Sequence, residues 1–228
     1  MTAARGNASA AAPTPSAPIV VAVLAAGRSS RMGFPKALAR LGEETALERI
    51  LRLADEAALP TLVVLGFHAD AIRASLAVAG ADRSVRWVVN EAPERGQSSS
   101  IRAAARALAP DQSLCLWPVD HARVEATTLA RLLHSFRSRA PGIELVVPSC
   151  EGRRGHPLFA SPTACREFAT LGDDEPAHAI VRREPARVDH VVVSDPMVVA
   201  DFDRPEDLET NGDGAGGFPG TRETRGRR

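Results

Sequence analysis

The 228-residue sequence lacks the features that mark several large classes of protein. Its three cysteines, Cys115, Cys150 and Cys165, are widely spaced and include no C-x-x-C pair, which argues against a disulfide framework and against a zinc site. Lys plus Arg and Asp plus Glu both number 28, so no excess charge favours a nucleic acid or an anionic membrane as partner. No apolar run approaches the ~20 residues of a membrane span. These absences indicate a cytoplasmic protein with reduced thiols.

Both ends of the chain are poor in the residues that build a hydrophobic core. Residues 1–18 are rich in Ala, Pro and Ser, and Pro13 and Pro15 interrupt the apolar stretch that a secretory signal peptide requires. Residues 211–228 are rich in Gly and then in Arg. Such compositions predict a disordered leader over 1–18 and a disordered tail over 211–228. Residues 19–210 are long enough for one folded domain with its own core.

Apolar segments alternate with amphipathic ones through the first 147 residues. Short apolar runs predict strands, and apolar residues at helical spacing predict helices between them. This alternation predicts an α/β fold with three layers, a doubly wound and mostly parallel sheet covered by helices on both faces. Ligands bind such sheets outside the carboxyl ends of the strands. The predicted strands span 19–24, 61–66, 85–90, 114–120 and 143–148, and the predicted helices include 44–59, 70–79 and 98–109.

The loop after the first predicted strand, Leu24–Leu38, combines small residues with three cations. It has neither the spacing of a Walker loop nor that of a dinucleotide fingerprint. Ala25, Ala26 and Gly27 have so little side-chain volume that a flat base can approach their backbone. Arg28, Arg31 and Lys36 can bind phosphate oxygens, Arg through a fork and Lys as a point charge. The loop therefore favours a nucleoside triphosphate, with a plain strand-to-helix turn bearing solvated cations as the alternative.

Carboxylates follow the fourth predicted strand and recur near the end of the folded region. Asp120 ends an apolar strand, where it can bind Mg²⁺ together with phosphate oxygens or cap the following helix. Asp201 and Asp203 are two residues apart, so an extended chain points both to one side, and either can join Asp120 on one metal. Glu206 and Asp207 follow Pro205 at a predicted helix start, which favours a structural role for both.

Two further clusters carry polar side chains that can bind a ligand. Asn90 ends the third predicted strand and Ser98 opens a helix, so they can hold a phosphate or a ribose hydroxyl, or act as ordinary caps. Arg153, Arg154 and His156 lie around the two glycines of "GRRGHPLF". They can bind an anionic second substrate, or belong to a solvated hairpin turn.

Five segments, in this order, resemble the MobA-like nucleotidyltransferases: "LAAGRSSRMGFPKAL", "VVNEAPERGQSSSI", "PVDH", "GRRGHPLF" and "DFDRPEDL". The nearest branch is similar to the molybdenum cofactor cytidylyltransferases. The resemblance covers about residues 19–208. It implies a sheet of the nucleotide-diphospho-sugar transferase type. It also implies transfer of a nucleotide from an NTP to a phosphorylated acceptor, with Mg²⁺ as cofactor and pyrophosphate as the released product.

The resemblance also implies roles for individual residues. Ala26 stands where the guanylyl branch usually has a second glycine, which implies CTP rather than GTP as substrate. The acceptor implied is the molybdopterin cofactor, and a molybdoenzyme is the implied partner. The residues implied are Leu24, Ala25, Ala26, Gly27, Arg28, Asn90 and Ser98 for nucleotide binding, Arg31, Lys36 and Asp120 for catalysis, Asp120 and Asp203 for Mg²⁺, and Arg153 and His156 for the acceptor.

Three alternative functions remain open from the sequence. A guanylyltransferase for the same cofactor would differ only in base recognition. A nucleotidyltransferase for a sugar phosphate or an alcohol phosphate would share the first half of the chain and differ on the acceptor side. A non-catalytic chaperone that delivers a cofactor belongs to a different class, and release of pyrophosphate distinguishes it from a transferase.

Overall fold

The computed structural model describes residues 17–79, 85–173 and 175–209. The predicted leader, apart from residues 17 and 18, and the predicted tail over 211–228 lie outside the described residues. Within these three ranges, no helix combines the length and the apolar character that crossing a bilayer requires.

Most strands belong to one sheet, and two short ones form a separate hairpin. In chain order the strands are β1 (Ile19–Ala25), β2 (Arg40–Leu41), β3 (Glu44–Thr45), β4 (Thr61–Leu65), β5 (Val85–Val89), β6 (Ser113–Pro118), β7 (Leu145–Cys150), β8 (Arg153–Arg154), β9 (Leu158–Ala160) and β10 (Val188–Val192). The main sheet has the order β10-β7-β9-β6-β1-β4-β5, and β8 pairs with β7. Strands β2 and β3 form the hairpin.

The main sheet is mostly parallel, as the sequence predicts. Strands β6, β1, β4 and β5 run parallel to one another, and β10 runs parallel to β7. Strand β9 runs antiparallel between β6 and β7, and β8 is antiparallel to β7. Strands β4 and β5 follow one another on one side of β1, and the next strand of the main sheet, β6, lies on the other side of β1. This reversal makes the carboxyl ends of β1 and β6 the switch point where doubly wound sheets bind ligands.

Helices cover both faces of the sheet. They are α1 (Ala46–Glu56), α2 (Ala69–Ala79), α3 (Gln97–Arg106), α4 (Ala126–Arg137), α5 (Pro162–Phe168), α6 (His178–Arg183) and α7 (Glu206–Glu209). Apolar residues of α1, α2 and α4 form one core layer, and those of α3, α5 and α6 form the other. Strand β1 serves both layers because alternate residues point to opposite faces: Val21 lies in the first and Ala22 in the second. The predicted three-layer α/β fold is confirmed.

Helix α1 begins two residues later than its apolar periodicity predicts. Thr45 ends strand β3 and is the N-cap of the helix: its hydroxyl accepts the Glu48 N–H at 3.2 Å, and the Glu48 carboxylate accepts the Thr45 N–H at 2.7 Å. This reciprocal capping box satisfies backbone donors that the first turn leaves unpaired. The predicted helix over 44–59 is therefore wrong at its first two residues, where cap and hairpin replace helical hydrogen bonds, and at its last three, because α1 ends at Glu56.

Glu167 joins α5 to the segment that leads into β10. Its carboxylate accepts hydrogen bonds from Arg187, one of them at 2.6 Å, and from Arg183 of α6 at 3.5 Å. The side chain of Glu167 is 23% exposed and that of Arg187 is 11% exposed. The hydrogen bond from Arg187 lowers the pKa of Glu167 below its ordinary value, and the nearby guanidinium charges add to this. The ionised form of Glu167 therefore stabilises the folded chain.

The variant Glu167→Gln is expected to lower the free energy of unfolding by about 1–2 kcal/mol at neutral pH, since it removes a charged hydrogen-bond acceptor. Because the folded-state pKa is lowered, this stabilisation is present above the unfolded pKa and is lost as the pH falls through the folded pKa. Urea denaturation at neutral pH and at about pH 3.5 measures both the loss of stability and its dependence on pH. Glu184→Gln is the control, because Glu184 is 67% exposed and 3.8 Å from Arg187. Equal losses in both variants, or a pH-independent difference, would contradict the prediction.

Candidate functional site

A cleft of about 490 Å³ lies at the carboxyl ends of β1 and β6. The segment Leu24–Gly27 lines it on leaving β1, and Asp120 lines it just after β6. Most of the predicted nucleotide and metal residues meet here, although they come from three distant parts of the chain. The predicted residues lining the cleft are Leu24, Ala25, Ala26, Gly27, Arg28, Arg31, Lys36, Asp120 and Asp203.

Ser29 folds the loop after β1 back on itself. Its φ of 53° is in the left-handed region, and its carbonyl accepts the N–H of Met32 at 3.0 Å and of Gly33 at 3.2 Å. The hydroxyl of Ser29 also accepts the backbone N–H of Lys36 at 3.1 Å. This hydrogen bond therefore holds the backbone of Lys36 at a fixed distance from the small residues at the start of the loop. Sequence reasoning missed Ser29, because nothing in the sequence distinguishes it from Ser30 next to it.

The ammonium of Lys36 joins two carboxylates in the cleft. Its Nζ donates to Asp120 Oδ2 at 2.8 Å and to Asp203 Oδ1 at 2.5 Å, and the side chain is 15% exposed. Burial alone would lower the pKa of Lys36, but the negative charge of Asp120 and the hydrogen bonds to both carboxylates outweigh burial and raise it. The hydrogen bond from Lys36 lowers the pKa of Asp203. Both groups are therefore charged at neutral pH.

Three carboxylates in this region can approach one cation. Oxygen atoms of Asp120, Asp201 and Asp203 all lie within 4.8 Å of one another. Phe202 is fully buried between the last two aspartates, so both carboxylates lie on the side of Asp120, as their spacing predicts. Carboxylate oxygens are the ligands that Mg²⁺ and Mn²⁺ prefer. The cluster therefore fits a divalent cation, with Asp201 and Asp203 both within reach of Asp120.

The charge balance of the cluster also favours a divalent cation. Two of its three carboxylates, Asp120 and Asp203, bond to the ammonium of Lys36, and Arg31 donates to Asp203 Oδ2 at 2.5 Å. Three negative and two positive groups leave one negative charge, which a divalent cation would convert to a positive one. A positive site attracts a triphosphate, whereas a negative site repels it.

Asp120 lies in a 3-10 turn, Val119–His121, directly after β6. The N-cap of the following helix α4 is Glu125, and the backbone N–H of Glu125 is accepted by Asp195 at 3.0 Å. The alternative interpretation of Asp120 as a helix cap is therefore wrong.

Asp207 fixes the position of Asp203. Its Oδ2 accepts the backbone N–H of Asp203 at 2.8 Å and of Arg204 at 2.9 Å, and these bonds lower the pKa of Asp207. The sequence predicts a structural role for Glu206 and Asp207 at a helix start, and Asp207 is placed in the first turn of α7. The first turn of α7 therefore determines the position of Asp203, whose carboxylate lines the cleft.

Asn90 and Ser98 form hydrogen bonds behind the cleft and do not line it. Asn90 is buried and donates to the Ser100 hydroxyl at 3.0 Å, while the Ser98 hydroxyl donates to the Glu175 carbonyl at 2.7 Å. Neither side chain lines the cleft, whereas Gln97 and Ser100 do. The structure therefore does not bring Asn90 and Ser98 into the cleft lining, and two residues of α3 adjacent to or near Ser98 line it instead.

A second cavity of about 780 Å³ adjoins the cleft, and Gln97 lines both. Arg153 and His156, the predicted acceptor residues, line this cavity. The described residues lining it include no Asp or Glu. Arg154 of the same predicted cluster lines it too, and its other basic residues, which the sequence did not indicate, are His178 and Arg182.

His156 is packed into the floor of the second cavity. Its backbone N–H donates to the Val198 carbonyl at 2.8 Å, and a Cβ at Gly155 would overlap the same carbonyl group. Burial lowers the pKa of His156 to about 4, and the neighbouring His121, whose ring centroid is 5.0 Å away, contributes to this. His156 is therefore a neutral imidazole at physiological pH. Arg153, by contrast, is exposed on the rim.

Comparisons with known proteins agree with this architecture. Residues 21–191 match the family model described as the MobA-like NTP transferase domain. The crystal structure of Rv0371c from Mycobacterium tuberculosis H37Rv is 30% identical over 86% of this chain and 97% of that one, with a TM-score of 0.73. A second structure of Rv0371c, described as a complex with manganese, is 28% identical over 78% of this chain and 89% of that one, with a TM-score of 0.62.

More distant proteins share the fold or part of the sequence. The bifunctional protein GlmU of Anaeromyxobacter dehalogenans (strain 2CP-C) is 29% identical over 61% of this chain, which spans only 29% of GlmU. Molybdopterin-guanine dinucleotide biosynthesis protein A of Archaeoglobus fulgidus shares the fold. Its structure has a TM-score of 0.61 at 18% identity and covers 84% of this chain and 95% of that one.

Proposed function

The chain belongs to the MobA-like NTP transferase family and is a nucleotidyltransferase, and on this premise we propose that it transfers CMP from CTP to a phosphorylated acceptor of the molybdopterin type, releasing pyrophosphate. One observation carries the proposal: a lysine fixed beside the small residues after β1 is hydrogen-bonded to two carboxylates from distant parts of the chain. In this proposal Leu24–Gly27 seats the base, and Arg28, Arg31 and Lys36 bind the phosphates.

We propose Mg²⁺ as the metal, held by Asp120 and Asp203, with Asp201 as a further ligand within reach. Three carboxylates whose oxygens lie within 4.8 Å of one another support this assignment. The manganese complex of Rv0371c supports a divalent metal in a close relative. When bound, the cation supplies positive charge that neutralises phosphate oxygens.

The residues of the chain account for the rest of the proposed mechanism. An oxygen of the acceptor phosphate attacks the α-phosphorus of the NTP in line. The new P–O bond forms as the bond to the pyrophosphate oxygen breaks, and pyrophosphate leaves with the bonding electrons. The second pKa of a phosphate monoester is about 6, so the attacking oxygen is already anionic at neutral pH and needs no strong base. Arg31 and Lys36 neutralise the charge that develops on the leaving pyrophosphate. Positioning and charge neutralisation therefore provide most of the catalysis.

The second cavity supports an anionic acceptor. It presents arginine and histidine side chains and, among the described residues that line it, no carboxylate. Gln97 lines both cavities, so a molecule in the second can reach the phosphates of a nucleotide in the first. Arg153 and neutral His156 are proposed to bind the acceptor, together with Arg154 and Arg182. A dinucleotide product would then pass to a molybdoenzyme partner.

The proposal predicts pyrophosphate release from CTP only when an acceptor is present. Incubation with CTP, Mg²⁺ and purified molybdopterin is expected to release pyrophosphate in proportion to the acceptor added, measured with a coupled phosphate assay. Parallel reactions with GTP test a guanylyltransferase, and reactions with sugar 1-phosphates test the alternative acceptors. Arg153→Ala is expected to raise the KM for the acceptor about 10-fold and leave the KM for CTP unchanged, because it removes one charged contact. Release with a sugar phosphate but not with molybdopterin would contradict the acceptor assignment.

A further inference from the structure

The 3-10 turn Pro93–Arg95 packs against the proposed base segment. Gly66, at the end of β4, has no space for a side chain: a Cβ there would lie 2.6 Å from the Ala26 carbonyl oxygen and 2.9 Å from the Pro93 Cβ. Ala26 and Pro93 therefore lie against the same side of Gly66. This contact holds the turn beside Leu24–Gly27.

The next residue, Glu94, presents an unpaired carboxylate to the same cleft. Glu94 is exposed and lines the cleft, and across 17–79, 85–173 and 175–209 its carboxylate accepts no hydrogen bond and forms no ion pair. The other described carboxylates lining the cleft, Asp120 and Asp203, are both bonded to Lys36. The turn itself is anchored, because Arg95 donates to Asp173 at 3.0 Å. A carboxylate can only accept hydrogen bonds, so Glu94 is suited to a donor on the ligand.

We propose that Glu94 is a specificity-determining residue, which accepts a hydrogen bond from the exocyclic amino group of the base. The inference rests on the proposed function, in which Leu24–Gly27 seats the base beside this turn. Cytosine presents an amino donor at C4, where uracil presents a carbonyl acceptor. A uracil in the same position would place two acceptors against each other and leave both unpaired. In this proposal Ala26 narrows the base-binding site and disfavours a purine, whereas Glu94 distinguishes cytosine from uracil.

Nucleotide affinity in the absence of acceptor tests this role. Titration calorimetry with CTP or UTP at fixed MgCl₂ is expected to show CTP binding at least about 10-fold more tightly to the unaltered protein, as for loss of one charged hydrogen bond. In Glu94→Gln the amide can donate to the uracil carbonyl as well as accept from cytosine, so the preference is expected to fall below about 3-fold. Glu94→Ala is expected to weaken CTP binding about 10-fold and to leave UTP binding nearly unchanged.

Glu91→Gln is the matched control, since Glu91 is an exposed carboxylate of the same loop that does not line the cleft. It is expected to keep the CTP preference, and all three variants are expected to melt at the temperature of the unaltered protein without nucleotide. Retention of the CTP preference in Glu94→Ala would overturn the role of Glu94, as would equal binding of CTP and UTP by the unaltered protein. Both results leave nucleotide binding itself intact. Failure to bind any NTP with Mg²⁺ would instead overturn the proposed function, and this inference with it.

Discussion

Replacement of Lys36 by alanine is expected to reduce turnover by about 10²–10³-fold at saturating NTP and Mg²⁺, the typical cost of removing one preorganised charge contact. The ammonium of Lys36 bonds to two cleft carboxylates, at 2.8 Å from Asp120 and 2.5 Å from Asp203. Without it, the phosphates lose a point charge and the two carboxylates lose their shared counter-ion. Steady-state release of pyrophosphate, measured at several NTP concentrations, separates an effect on kcat from one on KM.

The fold is expected to survive this substitution. The hydrogen bond that closes the loop uses the backbone N–H of Lys36, which alanine retains. Arg40→Ala is a suitable control, because the Arg40 side chain bonds to the Glu43 carbonyl in the hairpin and does not line the cleft. Near-normal turnover in Lys36→Ala, or an equal loss in Arg40→Ala, would show that Lys36 does not act on the phosphates.

Replacement of Asp120 by asparagine is expected to reduce turnover at least as strongly, by about 10³-fold, and to weaken metal binding. The substitution keeps the shape of the side chain and an oxygen that can accept from Lys36, but it removes the charge that a hard divalent cation requires. Titration with Mn²⁺, followed by electron paramagnetic resonance in the presence of CTP, measures metal binding independently of turnover.

Parallel variants distinguish the contributions of the other two carboxylates. Asp203→Asn is expected to weaken Mn²⁺ binding more than Asp201→Asn, because Asp203 is held in place through Asp207 and already bonded to Lys36 and Arg31. Undiminished Mn²⁺ binding in Asp120→Asn would contradict the assignment of Asp120 as the principal ligand.

The fold and the centre of the site could be predicted from sequence because both depend on local patterns. Alternating apolar and amphipathic segments predict parallel strands with helices between them, and parallel strands bring their carboxyl ends to one edge. This rule places Leu24–Gly27, Asn90 and Asp120 at one edge of the sheet. The spacing of Asp201 and Asp203 likewise predicts that both point to one side, because side chains alternate along an extended chain.

The parts that sequence reasoning missed depend on the rotation of a helix about its axis and on pairing between strands that are distant in the sequence. Three consecutive serines open α3, and which of them faces the cleft depends on the rotation of the helix about its axis, about 100° per residue. The helix begins at Gln97, so Ser100 rather than Ser98 reaches the cleft. Arg182 reaches the second cavity from α6, which follows the insertion of β9 between β6 and β7. No local pattern near Arg182 encodes that pairing.

The side chain that bridges Asp120 and Asp203 belongs to the only lysine in the sequence. Every other permanently cationic side chain of the chain is a guanidinium, so a single acylation would neutralise this amine and leave all arginines untouched. The same two aspartates that bind the amine keep it protonated by raising its pKa, and a protonated amine is not nucleophilic. The two aspartates of the cleft therefore make its one side-chain amine less reactive towards acylating reagents.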